Sequence, residues 1–381
     1  MIIGFVLDDS LDKTDGVQQY VITLGQWFAK HDHEVHYLVG ETKRNDIPRV
    51  HSLSKNIQVH FNQNRMSTPI RTDTVKLKKL LNDVNFDILH IQMPFSPLMA
   101  GKIIKYAHRS TAIIGTFHII PASFIEYAGG RLLRIVSRGS LKRFDKIYSV
   151  SNPAMRFAKR SLGVNSQVLP NTVDYSLFNN GKAIAKYEGK VNIVFLGRLV
   201  ERKGCRQLLE AMEYIHSKHE THNIRVIICG KGPLEPSLKN YVKEKKLGSF
   251  VKFAGYISEK DKPKYLATAD IAVFPSTGGE SFGIVLIEAM AAGAKVVLAG
   301  NNNGYISVMN GHADQIVNPN NIPSFSKVLW HFILNRNARL TSYKWQKEYV
   351  QKFDVKKVGS ILIDNYTSAI AKRRDSVNNI K

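Results

Sequence analysis

The segment 276-STGGESFGIVLIEAMAAG-293 decides how the rest of the chain is read. It follows the apolar run IAVFP, Thr277-Gly278-Gly279 supplies a turn, and helical spacing begins near residue 282. Strand, glycine turn and helix together form the βα step of a doubly wound sheet. The first amides of such a helix, here on Gly283, Ile284 and Val285, have no partner within it. With the helix dipole they make a site for an anion, which a bare glycine lets approach closely. Glu288 lies a little over one turn inside, among Leu286, Ile287, Ala289 and Met290. A carboxylate stranded there costs about 3–5 kcal/mol, so it requires a donor. Two ribose hydroxyls would serve, and so would a protein Arg or Lys. Glu280, ahead of the helix, either faces the hydroxyls of a sugar or caps the helix.

The same rhythm runs through nearly the whole chain. Short apolar, β-branched runs fall at residues 2–7, 34–39, 57–61, 88–92, 112–116 and 146–150. A second set falls at 192–196, 225–229, 251–253, 271–274, 295–299 and 315–317. Continuously apolar strands between amphipathic helices predict parallel sheets covered on both faces. The expected fold class is α/β, with two Rossmann-like doubly wound domains facing a central cleft. The first covers residues 1–170, a polar, turn-rich linker 171–189, and the second domain 190–350. Residues 351–381 form a helix returning to the first domain and a basic tail, with Ile361, Leu362, Asn365, Tyr366 and Ile370 on one side of that helix. Ligands of such sheets bind beyond the carboxyl ends of the strands.

The segment 191-VNIVFLGRLVERKG-204 supports that reading: Arg198 follows a strand directly and Lys203 stands five residues later. Two cations at one strand end, in the domain that holds the helix-terminus site, suit a diphosphate. The chain lacks an Asp-x-Asp metal motif.

Three segments, GRLVERKG, GKGPLEPSLK and GGESFGIVLIEAMAAG, closely resemble the retaining glycosyltransferases of family 4, which have the GT-B fold. Glu280 and Glu288 match that family's Glu-x7-Glu motif. DGVQQY at 15–20, VKLKKLL at 75–81, FDILHIQMP at 86–94 and GTFH at 115–118 are similar to the branch that moves mannose from GDP-mannose to phosphatidylinositol. The resemblance implies that Arg198 and Lys203 hold the diphosphate, Glu288 the ribose and Glu280 the sugar, with His118 near the reacting carbon. It places Gly16 against the phosphates, Glu259 and Lys262 at a guanine, and Asp9, Asp12, Gln18 and Arg71 at the acceptor. It implies front-face substitution with no metal and no cofactor beyond the donor substrate. Two departures bear on the acceptor: Asp15-Gly16 replaces a Gly-Gly pair, and Asp9 replaces an aromatic residue.

A net charge of +23 at pH 7, with a pI near 9.8, points to an anionic partner. Lys76, Lys78 and Lys79 interleave with aliphatic residues, and Arg131, Arg134 and Arg138 recur at helical spacing. Both segments lie in the presumed acceptor domain, as contact with an anionic membrane requires. Nucleic-acid binding would call for aromatic residues among these cations, and the lysines stand beside aliphatics instead. Two cysteines, Cys205 and Cys229, exclude a disulfide framework or a four-thiolate zinc site. With no signal-like or bilayer-length apolar run, a cytoplasmic, membrane-touching monomer is expected. Diacylglycerol glucosyl transfer from UDP-glucose, and transfer to a soluble or polyprenyl-linked glycan, remain alternative readings.

Overall fold

The apolar runs become the strands of two parallel sheets in the computed structural model, which describes residues 1–13, 15–61, 64–119, 137–309 and 311–379. The chain divides into two units, Met1–Thr172 with Val355–Lys381, and Val173–Asp354.

The first unit runs β1 (Ile2–Leu7), α1 (Gly16–Ala29), β2 (Glu34–Val39), β3 (Val50–Ser52), β4 (Ser54–Phe61), β5 (Asn64–Thr72), α2 (Thr74–Asp83), β6 (Ile88–Ile91), α3 (Met99–Tyr106), β7 (Ala112–Phe117), β8 (Lys146–Ser149), α4 (Asn152–Phe157) and β9 (Gln167–Val168). Its seven-stranded parallel sheet has the order β3-β2-β1-β6-β7-β8-β9. Alternate residues of β1 supply both cores. Ile3 and Phe5 pack under Tyr20, Leu24 and Phe28 of α1, whereas Val6 packs with Leu77 of α2 and Ile103 of α3. Residues 57–61 do not join this sheet, contrary to the sequence reading. They belong to β4, which pairs with β5 in a separate antiparallel hairpin. The sequence there alternates apolar and polar residues, as IQVHF shows, where the main-sheet strands run continuously apolar, and Ile57 is 47% exposed.

The second unit runs α5 (Tyr175–Asn179), β10 (Val191–Leu196), α6 (Cys205–His216), β11 (Ile224–Cys229), α7 (Glu235–Glu244), β12 (Val251–Gly255), α8 (Lys262–Ala267), β13 (Ile271–Phe274), α9 (Ile284–Ala291), β14 (Val296–Gly300), α10 (Asn303–Met309), β15 (Ile316–Val317), α11 (Ile322–Leu334) and α12 (Arg336–Tyr349). Its sheet order is β12-β11-β10-β13-β14-β15. Much of the segment expected as a linker is folded into this unit. Asp174 caps α5 by accepting from the Leu177 amide, Phe178 is buried, and the Val173 amide donates to the Phe353 carbonyl.

The chain closes with α13 (Val355–Asn378), which packs on α1 and β7 of the first unit. Its buried stripe is Val358, Leu362, Tyr366 and Ile370, a four-residue repeat. Ile361 is one position off that stripe and is 43% exposed, which corrects its assignment to the packed side. Among the described residues no helix is long and apolar enough to cross a membrane.

Candidate functional site

In the second unit β10 and β13 lie side by side although two strands separate them in sequence. The strand order reverses there, so the loops leaving the two strands diverge, which is where sheets of this kind receive ligands. The loop after β10 carries Arg198 and the 3-10 turn Glu201–Lys203; the loop after β13 carries Ser276 and Glu280. They are fastened together. The Thr277 amide donates to the Arg202 carbonyl at 2.9 Å, and Ser276 Oγ lies 2.8 Å from that carbonyl and 3.1 Å from Glu280 Oε1.

Glu280 Oε1 accepts from both Lys203 Nζ and Arg202 Nη1, each at 2.7 Å. Burial alone would raise the pKa of this carboxyl, but Lys203 and Arg202 outweigh it and hold the group below its ordinary value. Arg198, half-buried, belongs to the same loop. Two cations thus converge on one carboxylate, one positive charge more than it neutralises. The sequence reading assigned Lys203 and Glu280 to different parts of a ligand, whereas the structure joins them and adds Arg202. That residue was missed, although the adjacent basic pair in ERKG was a visible signal.

The helix start also differs in its cause. Gly283 has φ +108°, and a Cβ there would stand 2.5 Å from the Tyr305 ring. Its bareness therefore serves backbone conformation and packing on Tyr305. No side chain caps α9, so Glu280 is not its cap. The Leu286 amide turns to the Gly283 carbonyl at 3.0 Å, and Ile284 and Val285 head the helix.

Glu288 is buried and receives Lys262 Nζ at 2.9 Å. The donor in the structure is a protein ammonium from the first turn of α8, one of the two kinds the sequence left open. Lys262 also meets Glu259 at 2.6 Å, and its own side chain is only 6% exposed. Burial favours the neutral amine, but Glu288 and Glu259 prevail and raise the Lys262 pKa. Glu288 in turn is raised by burial, only partly relieved by Lys262. Glu259 keeps 44% of its side chain exposed and is the solvent-facing member.

The residues expected at an acceptor in the first unit are largely bound into the fold. Asp9 accepts from the amides of Ser10 and Ser67, at 2.7 and 3.2 Å, tying the loop after β1 to β5. Asp12 accepts from Thr42 Oγ1 and the Lys43 amide. Gln18, 2% exposed, donates to the Ser10 carbonyl. These three hold the loop after β1 in shape; Gly16 opens α1 and Arg71 is exposed on β5. Asp8, which sequence reasoning passed over, accepts from Ser96 Oγ and from the Ala100 amide, and burial raises its pKa to about 6. His118 follows β7, lies 2.9 Å from Gln92 through Nε2, and is pushed by burial down to about 3. Burial thus favours its neutral imidazole.

Of the basic residues, Lys76 donates to the Ser52 carbonyl and Lys78 lies over the Tyr106 ring at 4.5 Å. Lys79 and Arg138 are exposed, and Arg131 and Arg134 lie outside the described residues. On the same stretch Val75 is 80% and Ile70 62% exposed.

Residues 14–177 match the Glycosyltransferase Family 4 description and residues 179–348 match Glycosyl transferases group 1. The phosphatidyl-myo-inositol mannosyltransferase of Mycolicibacterium smegmatis is 31% identical over 306 residues, covering 78% of this chain and 75% of the relative. The protein of the same name from Propionibacterium freudenreichii is 29% identical, covering 81% and 79%. Among solved structures, Anabaena HepE in complex with UDP superposes with a TM-score of 0.75 at 16% identity, over 97% of this chain and all of that one. Sucrose-phosphate synthase from Thermosynechococcus elongatus gives 0.72 at 18%, over 98% of this chain and all of the other. The paired sheets, the matched domains and the similarity along most of the sequence make this chain a member of the GT-B glycosyltransferases, with a family 4 first half and a group 1 second half.

Proposed function

We propose that the chain is a retaining, metal-independent hexosyltransferase that moves mannose from GDP-mannose to a membrane lipid such as phosphatidylinositol. The observation that carries this is the positive surplus around Glu280. Cleaving a sugar–phosphate bond places negative charge on the departing diphosphate, and fixed cations aimed there stabilise the transition state. Arg198, Lys203 and the head of α9 supply such donors. The bond from the anomeric carbon to the phosphate oxygen breaks as the acceptor oxygen bonds on the same face. The acceptor proton passes to the departing phosphate. Glu280 accepts from hydroxyls of the sugar, and the neutral His118 imidazole orients it by hydrogen bonding. Glu259 suits guanine, because a carboxylate accepts from both the ring N–H and the exocyclic amine.

The lipid acceptor is supported by the relatives' names and by exposed Val75 and Ile70 beside Lys79 and Arg71. Such a surface fits peripheral attachment to the inner face of an anionic membrane. The test is a turnover screen with GDP-mannose, UDP-glucose and UDP-N-acetylglucosamine, on phosphatidylinositol and diacylglycerol vesicles, with and without EDTA. Mannosylated phosphatidylinositol of retained anomeric configuration, formed at full rate in EDTA, is expected. Turnover confined to UDP-glucose and diacylglycerol would transfer the assignment to glucosyl transfer. Equal sedimentation with anionic and neutral vesicles would remove the membrane surface.

A further inference from the structure

Glu280 is held by two cations, and a diphosphate entering beside Arg198 competes for one of them. Lys203 is the one suited to leave. Its ammonium is a compact charge on a flexible stem with 20% of the side chain exposed, whereas Arg202 is 12% exposed and carries a rigid planar fork. Arg202 is also anchored through its backbone. Its carbonyl accepts from the Thr277 amide and from Ser276 Oγ, at 2.9 and 2.8 Å, on the same loop that carries Glu280. Two residues on, Gly204 has φ +75°, and a Cβ there would stand 1.9 Å from the Pro275 carbonyl oxygen, so the two loops abut backbone to backbone.

We propose that Arg202 is the positioning residue of the site: it keeps Glu280 ionised and aimed at the sugar when Lys203 turns to the diphosphate. This rests on the transferase reading above, and divides the adjacent basic pair into one cation for the ligand and one for the carboxylate. Arg202 acts through Glu280 and touches no substrate atom.

Arg202→Gln and Arg202→Lys test it. In Arg202→Gln, GDP affinity measured by calorimetry stays within about threefold of the unaltered protein, while kcat falls by about thirtyfold or more. The acid limb of the kcat–pH profile moves to higher pH, because a carboxyl losing a cation titrates higher. Arg202→Lys, which keeps the charge, recovers part of kcat and returns the limb toward its original position. Unchanged kcat and pH limb in Arg202→Gln overturns the proposal. So does a loss confined to GDP affinity, which would make Arg202 a diphosphate ligand. A readout independent of turnover is the double-mutant cycle of Arg202→Gln with Glu280→Gln on thermal unfolding. Non-additive shifts are expected, and additive shifts show that the pair does not exist. A protein that binds neither GDP nor UDP overturns the transferase reading and the positioning role with it, and the cycle distinguishes that result from a missing ion pair.

Discussion

Glu280 and Glu288 stand eight residues apart in one motif, the first partly and the second fully buried, yet their surroundings are opposite in charge. Two cations converge on Glu280, and its pKa is lowered. At Glu288 two carboxylates share one ammonium, and the pKa values of both Glu288 and Lys262 are raised. The first arrangement has cationic charge to offer an incoming anion. The second has acceptor capacity to offer neutral hydroxyls or ring N–H groups. One loop-and-helix segment thus sets an electropositive and an electronegative environment side by side, which suits a ligand whose diphosphate adjoins a nucleoside.

The comparison can be broken most sharply at Lys262. Replacing it with Ala strands Glu288 and should destabilise the second unit by about 3–5 kcal/mol, seen as an earlier urea midpoint. Adding Glu288→Leu should restore most of that loss, and failure to do so would show that the pair is not what the unit depends on. At Glu280 the expected effect is chemical: Glu280→Ala should lower transfer by roughly a few hundredfold while calorimetry still detects GDP binding. Near-normal turnover would remove Glu280 from the mechanism. Lys203→Ala should weaken nucleotide binding by about 10- to 100-fold, the worth of one charge-assisted hydrogen bond, and an unchanged Kd would contradict the surplus-charge argument.

A smaller effect sharpens the contrast from the first unit, where His118 is buried beside Gln92 and faces no carboxylate at hydrogen-bond distance among the described residues. Its pKa falls from 6.5 to about 3 on folding, so between these values the unfolded chain binds a proton that the folded chain refuses. The stability it contributes is present above pH 6.5 and is lost as pH falls toward 3. Asp8 has the opposite sign: raised from 3.8 to about 6, it favours the fold at low pH and loses that contribution as pH rises through 6. His118→Gln should flatten the acid slope of urea stability by up to about 1.4 kcal/mol per pH unit. An unchanged slope would show that the imidazole is solvated.

Strands of the main sheets were legible because a parallel strand covered on both faces leaves an unmistakable apolar run, as in IIGFVL and VNIVFL. The strand at 57–61 was misplaced because its alternating IQVHF was read with the continuously apolar runs, and alternation marks a strand with one open face. The local partners of the β1 loop were not legible either: Asp9, Asp12 and Gln18 carry binding-type chemistry, and in the fold each meets a nearby amide or carbonyl.

What the sequence by itself determined is periodicity, and with it two doubly wound sheets and a glycine-bracketed helix start at a strand end. It also marked the charged residues that such a place would gather. What only the tertiary structure decided is which charges meet: Arg202 and Lys203 on Glu280, Lys262 between Glu259 and Glu288, and Tyr305 against Gly283. Periodicity is a property of neighbours along the chain, whereas an ion pair depends on two loops brought together by strand order. Arg202 and Glu280, separated by 77 intervening residues, meet because β10 and β13 are neighbours in the sheet.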